Sequence, residues 1–311
     1  MMTIYDKLRR RPAAFRNLTG LSVEEFDALY DELVDKIDSY DESRLKRRER
    51  ERAIGGGGQY QHDARNRLLM AMIWLRIYPT YEVLGFLFDL HKSNIGRNLE
   101  TLLAVLRDVL GDEIQWPDKS QRKRKMDEFM QDFPDVVAIV DATEQAIQRP
   151  QDQERQKAHY SGKKKRHTLK TQVVVGPDGE LMDVSQTVPG SQHDKKLYDE
   201  SGVRDALEAG EAMMGDSGYQ GIQHDHPAVL PFKKPKGGEL TPVQKDHNRR
   251  LSRIRVVAEN TLAQIKTFRV IAEVYRHLRE GYNDIFRIVA ALVNRRIRRR
   301  PLRRISPSLT A

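Results

Sequence analysis

The chain has 311 residues, of which 39% are hydrophobic and 32% are charged, so it can form one large or two ordinary domains with hydrophobic cores. The absence of cysteine excludes a disulfide scaffold, cysteine zinc sites and a cysteine nucleophile. A formal net charge of +9 favours a polyanionic partner, above all DNA or RNA. We recognise no signal peptide and no apolar stretch near the ~18 residues of a membrane span, and expect a cytoplasmic protein.

The first predicted element is a helix over residues 22–38. Ser22 is its expected N-cap, and Glu25 is placed to complete a capping box. Its apolar residues recur at helical spacing on one face, and they are Val23, Phe26, Leu29, Tyr30, Leu33 and Ile37. Four glycines at 55–58 cannot hold regular structure. We therefore interpret residues 1–58 as a helical segment that ends in a flexible, glycine-rich linker.

Three helices are predicted in the next segment, residues 59–112. They cover residues 64–77, 80–90 and 93–110. Two short helices and a tight turn before a third helix, with Ser93 as its expected cap, match an all-α helix-turn-helix, which is a DNA-binding motif. In that case Ser93, Asn94 and Arg97 begin the recognition helix, where side chains reach base edges. The alternative is a plain helical bundle.

Strand patterns begin after a polar linker, residues 113–134. Short, apolar and β-branched runs predict buried strands, and turn residues at 176–179 separate two of them. The predicted strands cover residues 136–140, 167–175, 181–188, 212–215 and 229–232. The predicted helices cover residues 193–207, 246–278 and 281–298. Together they indicate an α/β domain over residues 135–297, followed by a basic tail at 298–311.

Two aspartates directly follow predicted buried strands. Asp141 comes after the strand at 136–140, and Asp216 comes after the strand at 212–215. A strand fixes the backbone at its end, and the next side chain emerges where the sheet opens. One such aspartate is more often a turn or cap residue, but two in a basic chain favour a chemical role. Because buried carboxylates repel each other and lose solvation, they require a compensating charge.

A third acidic residue, Glu259, lies in the long predicted helix. The residues that share its helical spacing, in steps of 3, 4 and 7, are Ser252, Arg255, Glu259 and Lys266. Each step returns to the same helical face. Arg255 and Lys266 would then lie beside the Glu259 carboxylate, where they can bind substrate phosphates. The alternative is an exposed face held by salt bridges.

Carboxylate clusters of this kind suit the divalent ions Mg²⁺ and Mn²⁺, which prefer oxygen ligands. Phosphodiester chemistry uses paired ions of this type, one to activate the attacking oxygen and one to stabilise the leaving oxygen. The acids Asp141, Asp216 and Glu259 therefore predict a divalent-metal site.

Several stretches share one order and spacing with a known family. They are Val140-Asp141-Ala142-Thr143, residues 160–170, residues 189–194, Gly215-Asp216-Ser217-Gly218-Tyr219-Gln220-Gly221, and Arg255-x3-Glu259-x6-Lys266. Together with the helix-turn-helix ahead of them, they resemble the DDE transposases of bacterial insertion sequences, in the group allied to the eukaryotic Harbinger transposases. The resemblance covers roughly residues 60–295.

The resemblance implies an RNase H-like catalytic domain in which Asp141, Asp216 and Glu259 hold two Mg²⁺ ions, for which Mn²⁺ can substitute. Many relatives have a tyrosine three residues before the arginine of the last block, where this chain has Ser252, so any phosphate or stacking contact of that tyrosine is missing. Asp194 is an alternative second ligand, because it is nearer to Asp141 in sequence. The family pattern favours Asp216 and leaves Asp194 a capping or supporting role.

Basic runs provide further candidate DNA contacts. The residues are Lys163, Lys164, Lys165 and Arg166 at the start of a strand, and Lys233, Lys234 and Lys236 in a loop. At the edge of an active site such cations bind phosphates without reading sequence. A run at 295–304 holds seven arginines in ten residues and would extend this surface into the tail. The alternative for each run is a solvated surface.

The resemblance implies a DNA transposase that binds the terminal inverted repeats of its own insertion sequence. It would hydrolyse a phosphodiester at each element end, and the freed 3′ hydroxyl would attack target DNA. Because two ends must be held together, we expect a homodimer or larger homo-oligomer on double-stranded DNA, associated with the nucleoid of a bacterium. The alternatives are a catalytically silent DNA-binding regulator descended from a transposase and a non-mobile nuclease of the same fold.

Overall fold

The computed structural model describes residues 2–46, 60–118, 121 and 133–299, with a helical N-terminal region and a mixed α/β remainder. It divides into two compact units. The first contains residues 1–112, 266–273 and 284–289, and the second contains residues 113–265, 274–283 and 290–311, where described. The predicted glycine-rich linker at 55–58, the basic run at 122–125 and the tail at 300–311 lie outside the described residues.

Helices build the first unit. In chain order they are α1 (Ile4–Arg9), α2 (Pro12–Thr19), α3 (Val23–Lys46), α4 (Ala64–Ile77), α5 (Tyr81–Phe88) and α6 (Lys92–Leu110). The predicted capping box of α3 is confirmed. The Ser22 amide donates to Glu25 Oε2 over 2.7 Å, and the Glu25 amide donates to Ser22 Oγ over 3.2 Å. The helix continues past its predicted end at residue 38 and reaches Lys46.

The central helix of this unit is α4, whose side chains from Asn66 to Leu75 are all buried. An amphipathic surface helix would expose one face, so α4 is a core helix. Its buried cation, Arg67, is compensated on two sides. Arg67 Nη1 lies 2.7 Å from Asp41 Oδ2, and Arg67 Nε donates to Asn98 Oδ1 over 2.7 Å.

The segment predicted to be a helix-turn-helix contains α5 and α6 with a short turn between them. Asp89 begins the turn in the left-handed region, with φ of 51°. The predicted cap of α6 is wrong. The helix begins at Lys92, and His91 caps it, because the Ser93 amide donates to His91 Nδ1 over 3.3 Å. Histidine is not among the favoured N-cap residues, so the sequence pattern pointed to the serine instead.

The second unit contains a sheet and its covering helices. In chain order the elements are β1 (Val136–Ala146), α7 (Gln153–His159), β2 (Tyr160–Ser161), β3 (Arg166–Val175), β4 (Leu181–Val184), β5 (Val188–Pro189), α8 (Asp194–Glu200), β6 (Ala212–Met214), β7 (Ala228–Val229) and α9 (Pro242–Ile265). The short helix α10 (Arg269–Ala272) belongs to the first unit, and α11 (Tyr282–Arg299) ends the described chain.

The described strands are ordered β2-β3-β1-β6-β7, with β4 and β5 also paired to β3. β1 pairs antiparallel with β3, and β2, β4 and β5 are antiparallel to β3. β1 pairs parallel with β6, which pairs parallel with β7. The sheet therefore has an antiparallel half and a parallel half that meet at β1.

Several predicted elements differ in extent. The predicted strand at 181–188 is two strands, which pair with different parts of β3. The predicted helix at 193–207 stops at Glu200, because Gly202 takes a left-handed φ of 73° before a 3-10 turn. The helix predicted at 246–278 starts earlier, at Pro242, and ends at Ile265.

Among the described residues, no helix is long and apolar enough to cross a membrane.

A buried apolar cluster forms part of the core of the second unit. Apolar side chains of β1, β3 and β6 pack there with α8 and the turn after β6. Its buried residues include Val137, Ala138, Val140, Val174, Met213, Tyr198, Tyr219 and Ile222. This packing anchors both strands that end near the candidate acids.

Asn294 on α11 is fully buried and bonds three backbone groups of the second unit. Its Oδ1 accepts from the Leu181 amide over 2.8 Å, and its Nδ2 donates to the carbonyls of Leu181 at 2.8 Å and Glu113 at 2.9 Å. Asn294→Leu removes its bonds to the two Leu181 groups, each of which costs about 1–3 kcal/mol if left unpaired, while the Glu113 carbonyl keeps its hydrogen bond from Arg298 Nη2. We expect urea unfolding to show a loss of roughly 2–5 kcal/mol, against no change for the exposed Asn260→Leu. Equal losses in both variants would contradict this role.

Candidate active site

The register of two parallel strands brings the first two acids together. Ile139 of β1 lies opposite Met214 of β6, and each is followed two residues later by an aspartate, Asp141 or Asp216. Both aspartates were predicted to follow buried strands, and this register puts them at equivalent positions of neighbouring strands. Asp141 lies within β1 and not after it, because β1 continues to Ala146 in its pairing with β3.

Local hydrogen bonds orient both carboxylates. Asp141 Oδ1 accepts from the Ala142 amide over 2.8 Å. Asp216 caps the 3-10 turn Ser217–Tyr219, and its Oδ1 accepts from the Gly218 amide over 2.7 Å. Each aspartate thus uses one oxygen to fix its own rotamer.

The electrostatics of Asp141 place the third acid in the same site. Burial raises the pKa of Asp141, the hydrogen bond from Ala142 and the charge of Arg255 lower it, and the charges of Asp216 and Glu259 raise it again, with a net increase. Coulomb effects of this kind require nearby groups. Asp141, Asp216, Glu259 and Arg255 therefore form one charged cluster.

Helix α9 supplies the residues of this cluster that are distant in sequence. It packs against β1 and β3, with Arg255 partly buried and both Ser252 and Glu259 exposed. Because all three residues lie in α9 at spacings of 3 and 4, they share one helical face, as predicted. Lys266 follows the end of the helix at Ile265 and lies in a turn, outside that face. Its predicted phosphate contact stays a prediction.

Two buried polar atoms in the cluster lack a hydrogen-bond partner among the described residues. They are Arg255 Nε and the hydroxyl of Tyr219, whose side chain is fully buried. Burial and the charges of Asp194, Asp141 and Asp216 raise the pKa of Tyr219, so it keeps its proton as a donor. Sequence reasoning missed Tyr219 as a site residue, although it lies three residues after Asp216 in the second block.

Asp194 borders this cluster but is already paired. Lys170 Nζ lies 2.7 Å from Asp194 Oδ1. Gly218 separates Asp194 from Asp216, because a Cβ built on Gly218 would lie 3.3 Å from Asp194 Cγ and 2.9 Å from Asp216 Oδ1. Sequence reasoning missed Lys170 because it follows a run of four exposed cations, Lys163 to Arg166, although its direct neighbours in β3 are buried.

The donor chemistry of the cluster fits divalent cations. Burial raises the pKa of Asp141, the nearby charge of Asp216 adds to this increase, and an added cation would offset both effects. In the described part of the chain, no group of three or more His, Cys, Asp or Glu side chains lies close enough to hold a single ion. The third acid, Glu259, is an exposed side chain that can reorient when a cation binds.

The predicted DNA-contacting residues are exposed. Lys163, Lys164, Lys165 and Arg166 form the turn between β2 and β3, and Lys233, Lys234 and Lys236 lie after β7. Ser93, Asn94 and Arg97 are exposed in the first turns of α6, where Arg97 Nη1 donates to Asn94 Oδ1 over 2.8 Å. The arginine run at 295–304 was predicted to extend into a tail, but its described residues, 295–299, are helical. Arg295 and Arg298 lie in α11 and pair with Glu113 of the same unit.

Metal-free Asp141→Asn is expected to be more stable than the wild type at about pH 7. The folded-state pKa of Asp141 is raised, so its contribution to stability is full at low pH and is lost as pH rises through that pKa. Asparagine carries no charge, so its advantage disappears near pH 3, roughly the lower end of the carboxyl range. Urea unfolding in EDTA at both pH values measures the difference, with exposed Asp205→Asn as the control. A constant difference at both pH values would contradict the raised pKa.

Comparison with known proteins agrees with the site. Residues 140–294, which include all three candidate acids, match the family described as "DDE superfamily endonuclease". The chain is 27% identical over 283 residues to "Probable transposase for insertion sequence element IS702" of Microchaete diplosiphon, covering 90% of this chain and 93% of that protein. It is 23% identical over 220 residues to "Protein ALP1-like" of Arabidopsis thaliana, covering 65% of this chain and 52% of that protein.

No solved structure matches the chain significantly. The family and the insertion-sequence relative confirm the resemblance that the sequence blocks predicted. Through residues 140–294, the chain belongs to the DDE superfamily of endonucleases.

Proposed function

We propose that this protein is a DNA transposase that binds the terminal inverted repeats of an insertion sequence, cuts phosphodiesters at the element ends and joins the freed 3′ hydroxyls to target DNA. The observation that carries the proposal is the parallel register that places Asp141 beside Asp216, with Arg255 and Glu259 in the same charged cluster. A relative described as a probable transposase, similar over almost its whole length, supports it.

Asp141, Asp216 and Glu259 would hold two Mg²⁺ ions, for which Mn²⁺ can substitute. Ions in such a site activate the attacking oxygen and stabilise the leaving oxygen of an in-line displacement. The charge of Arg255 lowers the pKa of Asp141, and its guanidinium group would pair with a substrate phosphate. Hydrolysis and strand transfer are both displacements at phosphorus, so the same residues serve both steps.

We assign residues 135–297, which lie mainly in the second unit, to an RNase H-like catalytic domain. The antiparallel β3–β1 pair joined to parallel β6 and β7 supports this assignment. We assign residues 59–112 to a helix-turn-helix in which Ser93, Asn94 and Arg97 read base edges. Their exposure at the start of α6 supports this role. The protein would act on the bacterial nucleoid as a homodimer or larger assembly, because two DNA ends must be joined.

The turn between β2 and β3 would bind DNA phosphates. Lys163→Ala/Lys164→Ala removes two exposed cations and is expected to weaken binding of unrelated duplexes as much as binding of element ends. Each phosphate contact releases about one counterion when the protein binds. Two lost contacts should therefore make the slope of log affinity against log salt less negative by about 2. Lys7→Ala/Lys36→Ala removes two exposed lysines from α1 and α3 and is the matched control. Equal slopes for both variants would argue against a phosphate-binding turn.

A cleavage assay tests the proposed activity. Duplexes carrying the DNA that flanks the gene, including any paired inverted repeats, are incubated with the full chain and Mg²⁺. We expect a cut at each element end, joined products with a target plasmid, and loss of both with EDTA. Sequence-specific binding without cleavage in Mg²⁺ or Mn²⁺ would overturn the proposal in favour of a regulator. Cleavage without joining would reduce it to a nuclease.

A further inference from the structure

Lys170 on β3 is a buried cation with a defined set of partners. It is 7% exposed, and its Nζ donates to Asp194 Oδ1 over 2.7 Å and to the Gln192 carbonyl over 2.5 Å. Glu144 Oε1 lies 3.9 Å from the same nitrogen. A buried charge is costly unless it is paired and hydrogen-bonded, and these contacts supply both for Lys170.

The lysine is anchored by the antiparallel pair β1–β3. Glu144 lies opposite Lys170 in the register, and its Oε2 accepts from the Thr168 hydroxyl over 2.8 Å. The backbone of Gly190 packs directly on Thr168, and the Gly190 amide donates to the Thr168 carbonyl over 2.9 Å. The loop that leads into Asp194 is therefore fixed to the sheet at the same place as the lysine.

Asp194 transmits this anchoring to the turn that carries Asp216. One oxygen of Asp194 bonds Lys170, and the other lies directly against Gly218, where a Cβ would overlap it. The Gly218 amide in turn donates to Asp216 Oδ1 over 2.7 Å. An unbroken series of contacts thus runs from Lys170 through Asp194 and Gly218 to the Asp216 carboxylate.

We propose that Lys170 and Asp194 are positioning residues that act as one unit and fix the turn bearing Asp216, so that its carboxylate stays beside Asp141. The proposal rests on the proposed function of the acid cluster and adds two residues to it. It also gives Asp194 a role that differs from that of a metal ligand, since its Oδ1 is bonded to an ammonium group.

The two possible roles of Asp194 predict different effects of Lys170→Met on Mn²⁺ binding. If Asp194 binds metal directly, Lys170→Met removes a competing cation and leaves Mn²⁺ binding unchanged or tighter. If the pair positions Asp216, Lys170→Met releases the turn and weakens Mn²⁺ binding. Supporting partners of metal ligands typically change metal affinity by about 10-fold to 100-fold.

The test uses the full chain with Lys170→Met, Asp194→Asn and the double variant, and titrates Mn²⁺ alone by calorimetry. We expect the dissociation constant for Mn²⁺ to rise about tenfold in each, and the cleavage rate to fall about 100-fold. Because the residues act as a unit, the double variant should be no worse than either single one. Binding of element-end DNA in EDTA should not change.

The control is Lys245→Met/Glu239→Gln, which removes an exposed ion pair of 3.2 Å at the start of α9. It should leave Mn²⁺ affinity and cleavage as in the wild type. Should a single variant fail to fold, the double variant carries the test, since it leaves neither member of the pair charged. Additive losses in the double variant, or Mn²⁺ binding that Lys170→Met tightens, would overturn the proposal.

Failure of the two proposals can be told apart. A wild type that cleaves, with Lys170→Met and Asp194→Asn equally active and equally able to bind Mn²⁺, overturns the positioning role alone. A wild type that binds Mn²⁺ but does not cut DNA overturns the transposase proposal, and the Mn²⁺ titrations still decide on the positioning role. A wild type with neither property overturns both.

Discussion

We expect replacement of Asp141, Asp216 or Glu259 by alanine to abolish Mg²⁺-dependent cleavage of element-end DNA and to leave binding of that DNA intact. The charges of Asp216 and Glu259 act on Asp141, so each variant removes one carboxylate of the proposed metal site. Charge stabilisation by bound metal is worth several kcal/mol in the transition state, which corresponds to a loss of about 1,000-fold or more in rate. Single-turnover cleavage of a labelled duplex and a gel-shift assay measure the two properties separately.

Binding is expected to survive because we assign it to other residues. The exposed cations of the β2–β3 turn and the polar start of α6 lie outside the acid cluster. Exposed Asp205→Ala is the control for a lost carboxylate. The assignment of the second ligand is also open to correction by this experiment. Normal cleavage by Asp216→Ala together with loss of cleavage by Asp194→Ala would exchange the roles of these two residues.

Gly218→Ala reduces cleavage by about 100-fold without unfolding the protein. The added methyl group would overlap Asp194 Oδ2 and lie 2.9 Å from Asp216 Oδ1. Asp194 is held by Lys170, so the turn that bears Asp216 has to move. A displacement of about 1 Å of a reacting group is enough for a loss of this size.

Mn²⁺ titration and the melting temperature separate a moved ligand from a damaged fold in this variant. We expect weaker Mn²⁺ binding with a melting temperature within a few degrees of the wild type. Gly281→Ala is the control, since a Cβ there meets nothing within 4 Å. Unchanged cleavage in Gly218→Ala would show that the contact between Asp194, Gly218 and Asp216 does not hold the site.

The sequence predicted the features that depend on local chemistry. The capping box of Ser22 and Glu25 and the bounds of α4 follow from capping preferences and helical periodicity. Asp141 and Asp216 were predicted because each comes at the end of a buried apolar run. Their register could not be predicted, because it depends on pairing between strands that are distant in the chain.

The features that the sequence did not predict depend on tertiary partners. Lys170 belongs to a strongly basic stretch, and only its contacts with Asp194 and Gln192 distinguish it from the exposed lysines before it. Arg295 and Arg298 belong to an arginine run that indicated a DNA-binding tail, but both pair with Glu113 within the second unit, and Arg298 also pairs with Glu180. A charge pattern in sequence gives the sign of a surface, and it does not tell which charges are already paired.

The parallel register of β1 and β6 has a consequence for insertions and deletions. The backbones that carry Asp141 and Asp216 are set apart by one strand spacing, about 4.8 Å, whatever the length of chain that joins them. Residues inserted at the exposed turn of Ala209 and Gly210, between α8 and β6, can therefore be accommodated at the surface without changing the distance between the two acids. One residue added between Met214 and Asp216 has no such freedom, because it would turn the aspartate away from its partner.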